Sequence, residues 1–295
     1  MSVRPKMFQE GTPMKLVRFG AAGAEKPGLV DAEGVIRDLS AHVKDITGDT
    51  LSAASLDKLR KLDTKALPAA PQGVRLGSPV GHVHNFIAVG LNYVDHAKET
   101  GAEIPKEPIL FNKLANCIVG PNDDVMIPKG SLKLDYEIEI AFIIGKRTRY
   151  VEEKDALSHI AGYAVCNDIS ERHFQAERGG QWMKGKCAET FGPLGPWLTT
   201  RDEIEDVQKL AMSLDVNGER RQTGNTNTMI FGIAHCLHYI SQFMVLEPGD
   251  VVTTGTPPGV ALGFKPPKWL KPGDVMTLKI EGLGEQKQKV VPFKE

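Results

Sequence analysis

The stretch Leu134-Asp-Tyr-Glu-Ile-Glu-Ile-Ala-Phe-Ile-Ile144 alternates acidic and apolar residues with the two-residue period of a β-strand. Asp135, Glu137 and Glu139 then share one face, while Leu134, Tyr136, Ile138, Ile140 and Phe142 share the other. Same-face neighbours lie roughly 6–7 Å apart for a rise of about 3.3 Å per residue. Three carboxylates in one row repel one another unless a cation or water screens them. Two environments meet that condition: the solvated outer face of a half-exposed sheet, or a buried metal-binding row. No Lys or Thr dilutes the acids, and the same face runs on into Ala141 and Ile143, which favours burial.

Further β-branched runs bounded by Gly, Pro or Asp predict strands at Phe86–Val89, Asp124–Ile127, Ile160–Cys166, Val251–Thr254 and Val275–Ile280. Helical spacing predicts helices over Tyr93–Thr100, Glu152–His159, Ser170–Arg178 and Phe231–Met244. Strands outnumber helices without alternating with them, so the expected class is α+β, mostly β, rather than a doubly wound parallel sheet. Before residue 75, Met14–Phe19 and Gly28–Ile36 read as strands, the second carrying the turn Asp31-Ala-Glu-Gly34. Leu51–Leu62 reads as a helix with Ser52 or Ser55 as its cap. Pro68-Ala-Ala-Pro-Gln-Gly73 interrupts regular structure, so the expected division is an N-terminal extension over 1–13, a small domain over 14–72 and a main domain over 73–295.

The balance of 36 basic and 37 acidic residues, evenly interspersed, argues against nucleic acid or a membrane surface as partners. The longest apolar run, Met229 to Leu246, is broken by His, Ser and Gln and reads as a buried helix. Cys117, Cys166, Cys187 and Cys236 form no CxxC pair, and the N-terminus lacks a secretory apolar core. A reduced, cytoplasmic location is expected.

Three more clusters carry polar chemistry. If a helix begins near Asp168, then Asp168, Arg172 and Gln175 form one stripe at i, i+4 and i+7; Asp168 could equally be an N-cap with Arg172 as its ion-pair partner. Asn92, His96 and Glu99 share a helical face in the same way, and a carboxylate bonded to imidazole makes His96 a candidate base for activating water. A surface His–Glu pair is the plain alternative. Val251-Val-Thr-Thr-Gly-Thr-Pro-Pro-Gly259 is a strand entering a rigid loop that can offer N–H groups to an anion, but it lacks P-loop spacing.

In this order, the segments Gly90-Leu-Asn-Tyr-x-x-His96-x-x-Glu99, Leu110-Phe-x-Lys113, Asp135-Tyr-Glu137-x-Glu139, Asn167-Asp168-x-Ser170-x-Arg172 with Gln175, Lys186-x-x-Glu-Thr-Phe-Gly-Pro-x-Gly-Pro196 and Thr254-Gly-Thr-Pro-x-Gly259 resemble the fumarylacetoacetate hydrolase family. The resemblance implies a mixed β-roll catalytic domain behind a small β-rich one, assembled as a homodimer. It implies Mg2+ or Mn2+ on Glu137, Glu139 and Asp168, catalysis by His96, Glu99 and Lys186, and substrate contacts from Tyr93, Arg172, Gln175 and Thr256. Some relatives carry an extra carboxylate ahead of Asn92; Ala88 and Val89 stand there, so three ligands are expected. The implied reaction is hydrolysis of a carbon–carbon bond in an acylpyruvate, releasing pyruvate and a second acid. The stretch from Gly179 to Trp197 is similar to the branch acting on 2,4-diketo-3-deoxy sugar acids, some of whose members are named ureidoglycolate lyases. Oxaloacetate decarboxylation, hydroxymuconate-type isomerisation or decarboxylation, and metal-dependent binding without turnover remain alternatives.

Overall fold

A computed structural model describes residues 14–295; the expected extension over 1–13 lies outside them. The chain is α+β and strand-dominated. Ten strands form one large sheet, running in order Ile36–Asp38, Lys26–Val30, Lys15–Phe19, Gly192–Thr200, Ile160–Asn167, Ile138–Ile144, Val251–Thr253, Phe86–Gly90 and Ile109–Lys113, with Ile118–Val119 parallel to Gly192–Thr200. A five-stranded sheet packs against its middle, in order Glu219–Asn225, Ala211–Val216, Val275–Ile280, Gly284–Val291 and Val125–Met126.

Ile138–Ile144 is buried at all seven positions, as a central strand covered on both faces must be. Its neighbours are antiparallel: Val165 pairs with Ile140, and Val252 with Phe142. Helix Ile233–Ser241 buries Ile233, Cys236, Leu237 and Ile240, the i, i+3, i+4, i+7 stripe expected for the apolar run around it. Each such apolar side chain contributes roughly 1.5–3 kcal/mol when fully buried. Among the described residues no helix is long and apolar enough to cross a membrane.

The N-terminal strands join the large sheet through Lys15 and Leu16, which face Thr199 and Leu198, so segment 14–72 shares a sheet and a core with the remainder. Its hairpin turns where expected: Asp31 Oδ1 accepts the N–H groups of Glu33 and Val35, and Gly34 supplies a φ of +81°. Ser52 caps helix Ala53–Arg60 by accepting the Ser55 N–H.

Two expectations need correction. The strand over Leu134–Ile144 is interrupted: Leu134–Asp135 pairs with Ser170–Glu171, and the regular strand resumes at Ile138. The helix expected from Ser170 begins only at Arg172 and ends at Ala176, because Ser170–Glu171 is extended and Glu171 caps the helix through the His173 N–H. Gly192–Thr200 is a central strand despite two prolines; its pairing shifts register between Tyr163 and Val165, opposite Gly195-Pro196.

Candidate metal centre and active cleft

Glu139 lies near the start of Ile138–Ile144, and Glu137 just precedes it. Asp168 follows the end of the neighbouring strand, where its N–H donates to the Glu137 carbonyl at 2.9 Å. Asn167 pairs with Ile138 and accepts the Glu137 N–H through Oδ1 at 3.2 Å. Two adjacent strand ends therefore bring Glu137, Glu139 and Asp168 together, with one carboxylate oxygen from each within 4.8 Å of the others. Their residues are 5%, 2% and 0% exposed, which rules out the solvated outer face.

Buried carboxylates need counter-charges. Lys186 Nζ donates to Glu137 Oε2 at 2.6 Å and Asp168 Oδ2 at 2.8 Å. Lys113 Nζ donates to Asp168 Oδ1 at 2.6 Å and to the Lys186 carbonyl at 2.5 Å. Arg172 spans Asp135 Oδ2 (Nε, 2.8 Å), Glu137 Oε1 (Nη2, 2.5 Å) and Gln175 Oε1 (Nη1, 3.0 Å). The break after Asp135 sends that carboxylate away from the row. It accepts the Ala261 and Leu262 N–H groups and faces Arg172, so Arg172 pairs with Asp135 and Glu137 rather than with Asp168.

Four buried carboxylates thus meet three cations, and the unmatched charge is Glu139. Among the described residues no ion pair reaches it, and its Oε2 accepts the Gly255 N–H at 2.9 Å. Burial, then repulsion from Asp168 and Glu137, pushes its carboxyl well above the usual range. Burial would push Glu137 up too, but Lys186 and Arg172 outweigh it and hold that carboxyl well below the usual range. A hard divalent cation fits this donor set: three oxygen ligands, one bearing a charge the protein leaves unbalanced.

His96 Nδ1 lies 3.2 Å from Glu99 Oε2, on the helix Val94–Thr100. Glu99 Oε1 in turn accepts the Gly259 N–H at 2.9 Å, anchoring the pair to the loop after Val251–Thr253. Asn92 does not share their helical face. It precedes the helix and ties the chain to Thr254 and Phe231 through its amide. His96, Glu137, Glu139, Arg172, Gln175, Lys186 and Thr256 all line one cleft of about 250 Å3. Thr256 gives its hydroxyl hydrogen to the Ile138 carbonyl at 2.9 Å, so its side chain shapes the wall. Tyr93 is outside the cleft lining; its fully buried hydroxyl donates to Met212 Sδ at 3.3 Å.

Sequence reasoning gave Lys113 and Gln222 no role, and it placed Asp135 in the carboxylate row, away from which the structure turns it. Lys113 was visible within a motif, without sign of its target. Gln222, on the five-stranded sheet, accepts the Ile138 N–H at 3.0 Å and donates to Thr256 Oγ1 at 2.8 Å and the Pro257 carbonyl at 2.7 Å. It fixes the loop against the strand carrying Glu139.

Residues 85–291 match the model described as fumarylacetoacetate (FAA) hydrolase, C-terminal. A protein of Burkholderia lata named a candidate hydrolase is 55% identical over 276 residues, covering 93% of this chain and 98% of its own. The solved fumarylacetoacetate hydrolase of Exiguobacterium antarcticum superposes with a TM-score of 0.83 at 36% identity, over 95% of this chain and 100% of that one. The maleylpyruvate hydrolase of Sphingobium sp. SYK-6, solved with manganese(II) and pyruvate, gives a TM-score of 0.80 at 29% identity, over 95% and 100%. A probable 2-hydroxyhepta-2,4-diene-1,7-dioate isomerase of Mycobacterium abscessus gives 0.81 at 33%, over 96% and 100%.

Proposed function

Because the chain belongs to the fumarylacetoacetate hydrolase family, we propose that it hydrolyses the carbon–carbon bond of an acylpyruvate-type 2,4-diketo acid with the help of a divalent cation. The observation that carries this is the shared cleft: a carboxylate cluster with one unmatched charge opens beside a His–Glu pair and a lysine. The Sphingobium relative, solved with manganese and pyruvate, lends support.

Mg2+ or Mn2+ held by Glu137, Glu139 and Asp168 would supply Lewis-acid chemistry, drawing charge from the oxygens of the substrate. With Glu99 accepting at Nδ1–H, His96 would carry its lone pair at Nε2, the nitrogen that would take a proton from water. The hydroxide oxygen bonds to C4, and the C3–C4 bond breaks with its electron pair remaining on C3. The proton held at His96 Nε2 returns to C3, giving pyruvate and a carboxylic acid. Among the described residues Lys186 donates to the Glu137 and Asp168 carboxylates, and its third N–H would meet the developing oxyanion. Gln175 accepts from Arg172 through Oε1, which turns its amide N–H groups to the substrate.

Metal-stripped protein should release pyruvate from acetylpyruvate only after Mg2+ or Mn2+ is restored, and Glu137→Ala should abolish it. His96→Ala should cost roughly 100-fold to 10,000-fold, the usual worth of a general base. Decarboxylation or isomerisation needs no attacking water, so turnover that survives His96→Ala but not Glu137→Ala would favour those reactions. The same proposal includes a cytoplasmic homodimer, in keeping with four free cysteines, three of them buried. Sedimentation as a monomer at micromolar concentration would remove the dimer.

A further inference from the structure

The lining of the cleft is of two chemical kinds. Its polar side chains gather at the carboxylate cluster, where each already has a protein partner: Arg172 holds Gln175 and Glu137, Lys186 holds Glu137 and Asp168, and Thr256 holds Ile138. The remaining side chains of the lining are apolar, chiefly Leu91, Ala102, Phe111, Ala176, Trp182 and Leu262. Lys186 and Trp182 lie four residues apart on one short turn, the first fully inside and the second half-buried. Phe111 stands between them: Lys186 Nζ is 5.4 Å from its ring centre, and the Trp182 ring meets it edge-on at 5.4 Å and 65°.

Trp182 also rests on bare backbone. A Cβ at Gly90 would come within 2.4 Å of Trp182 Cζ3, so this ring position requires glycine there. Phe111 projects from the strand paired with that of Gly90, so two neighbouring strands and one turn build an apolar wall that runs from Lys186 through Phe111 to Trp182.

We infer that this wall selects the acyl tail of the substrate, and that the tail is an alkyl or aryl group rather than a polyhydroxylated or second acidic one, with Trp182 the residue that decides. The inference rests on the acylpyruvate reading above. Hydroxyls laid against Phe111, Trp182 and Leu262 would lose water and gain no partner. Among the described residues of the lining, a distal carboxylate would find no Lys or Arg beyond Arg172 and Lys186. This departs from the sugar-acid tail implied by the sequence around Gly179 to Trp197.

The test is binding rather than turnover. Protein loaded with Mn2+ is titrated calorimetrically with 2-oxohexanoate and with a 2-oxo-3-deoxyhexonate, which has the same carbon count and hydroxyls on C4 to C6. Each buried methylene should contribute roughly fourfold in affinity, so 2-oxohexanoate should bind more than about tenfold tighter. Trp182→Ala and Gly90→Ala, which deletes or evicts the ring, should each bring that ratio down about tenfold. Equal or tighter binding of the hydroxylated acid, no binding of either acid, or a ratio unmoved in both variants would overturn the inference. Acetylpyruvate cleavage is scored separately. If cleavage is absent while the alkyl preference holds, only the hydrolytic reading falls. If cleavage is present without the preference, only the tail assignment falls.

Discussion

Replacing Glu139 by Gln should move two properties in opposite directions. The substitution keeps an oxygen to accept the Gly255 N–H and removes, among the described residues, the one carboxylate charge of the cluster without a cationic partner. Two like charges within 4.8 Å of each other repel by roughly 3 kcal/mol or more at an effective dielectric constant of about 20. Glu139 faces two such neighbours, and Lys186 offsets part of the sum, so the metal-free variant should gain about 1–3 kcal/mol. At about 2–4 °C per kcal/mol this is a rise of several degrees in melting temperature. The sign with pH follows from the same carboxyl. Its folded pKa lies above the ordinary 4.5, so above that pH the native state binds more protons than the unfolded one. Metal-free wild type should therefore lose stability as pH rises from 4.5 towards the folded value, and the cation, which displaces that proton, should bind more tightly over the same window. Metal at about 100 times its Kd stabilises wild type by roughly 2.7 kcal/mol; the variant should need more than about 100 times as much for the same gain. Scanning calorimetry with and without Mn2+, at several pH values, reads all of this. A variant that melts lower without metal and keeps its full metal-induced rise would refute the charge argument.

Asp135→Asn removes one of the two carboxylates facing the buried Arg172 guanidinium, which keeps Glu137; losing a charged hydrogen bond of this kind costs about 1.5–3 kcal/mol, measurable as a lower denaturant midpoint. Gln222→Leu strands the Ile138 N–H and takes the amide donor from Thr256 Oγ1, and urea titration should show a loss of about 1–3 kcal/mol. Gly259→Ala forces a side chain into a φ of +102° with its Cβ only 2.0 Å from the Arg221 carbonyl, displacing the N–H that holds Glu99. Steady-state kinetics should show kcat down by about 100-fold, with the metal-induced melting shift retained. Glu137 titrates opposite to Glu139: its stabilising pairs with Lys186 and Arg172 are present above pH 4.5 and are lost as acid protonates it, so an acid melt of Glu137→Gln should be flatter than that of wild type.

The alternation from Leu134 to Ile144 carried real information, since Glu137 and Glu139 do face a common site. It could not report the break at Tyr136, which depends on Leu134–Asp135 finding Ser170–Glu171 across the fold. For the same reason the stripe from Asp168 to Gln175 reads as one helix, whereas an extended step separates Asp168 from the short helix on which Arg172 and Gln175 meet. The His96–Glu99 contact is local to one turn, and local spacing was enough to find it. Lys113, Asp135 and Gln222 act on partners distant in sequence, and a buried glutamine on a strand reads like a surface one. Gly192–Thr200 was hidden by its glycines and prolines, residues that ordinarily mark turns.

The strand Val251–Thr253 sits between Phe86–Gly90 and Ile138–Ile144, both completed more than a hundred residues earlier in synthesis. Until it leaves the ribosome, two apolar strands each present an unpaired edge to the other and to every neighbouring nascent chain. The loop that follows it carries Gly255, Thr256 and Gly259, which hold Glu139, the cleft wall and Glu99. Closing the sheet and assembling the chemistry are thus a single late event. A ribosome stalled before this strand would display a chain rich in exposed edges and devoid of activity, a natural client for chaperones.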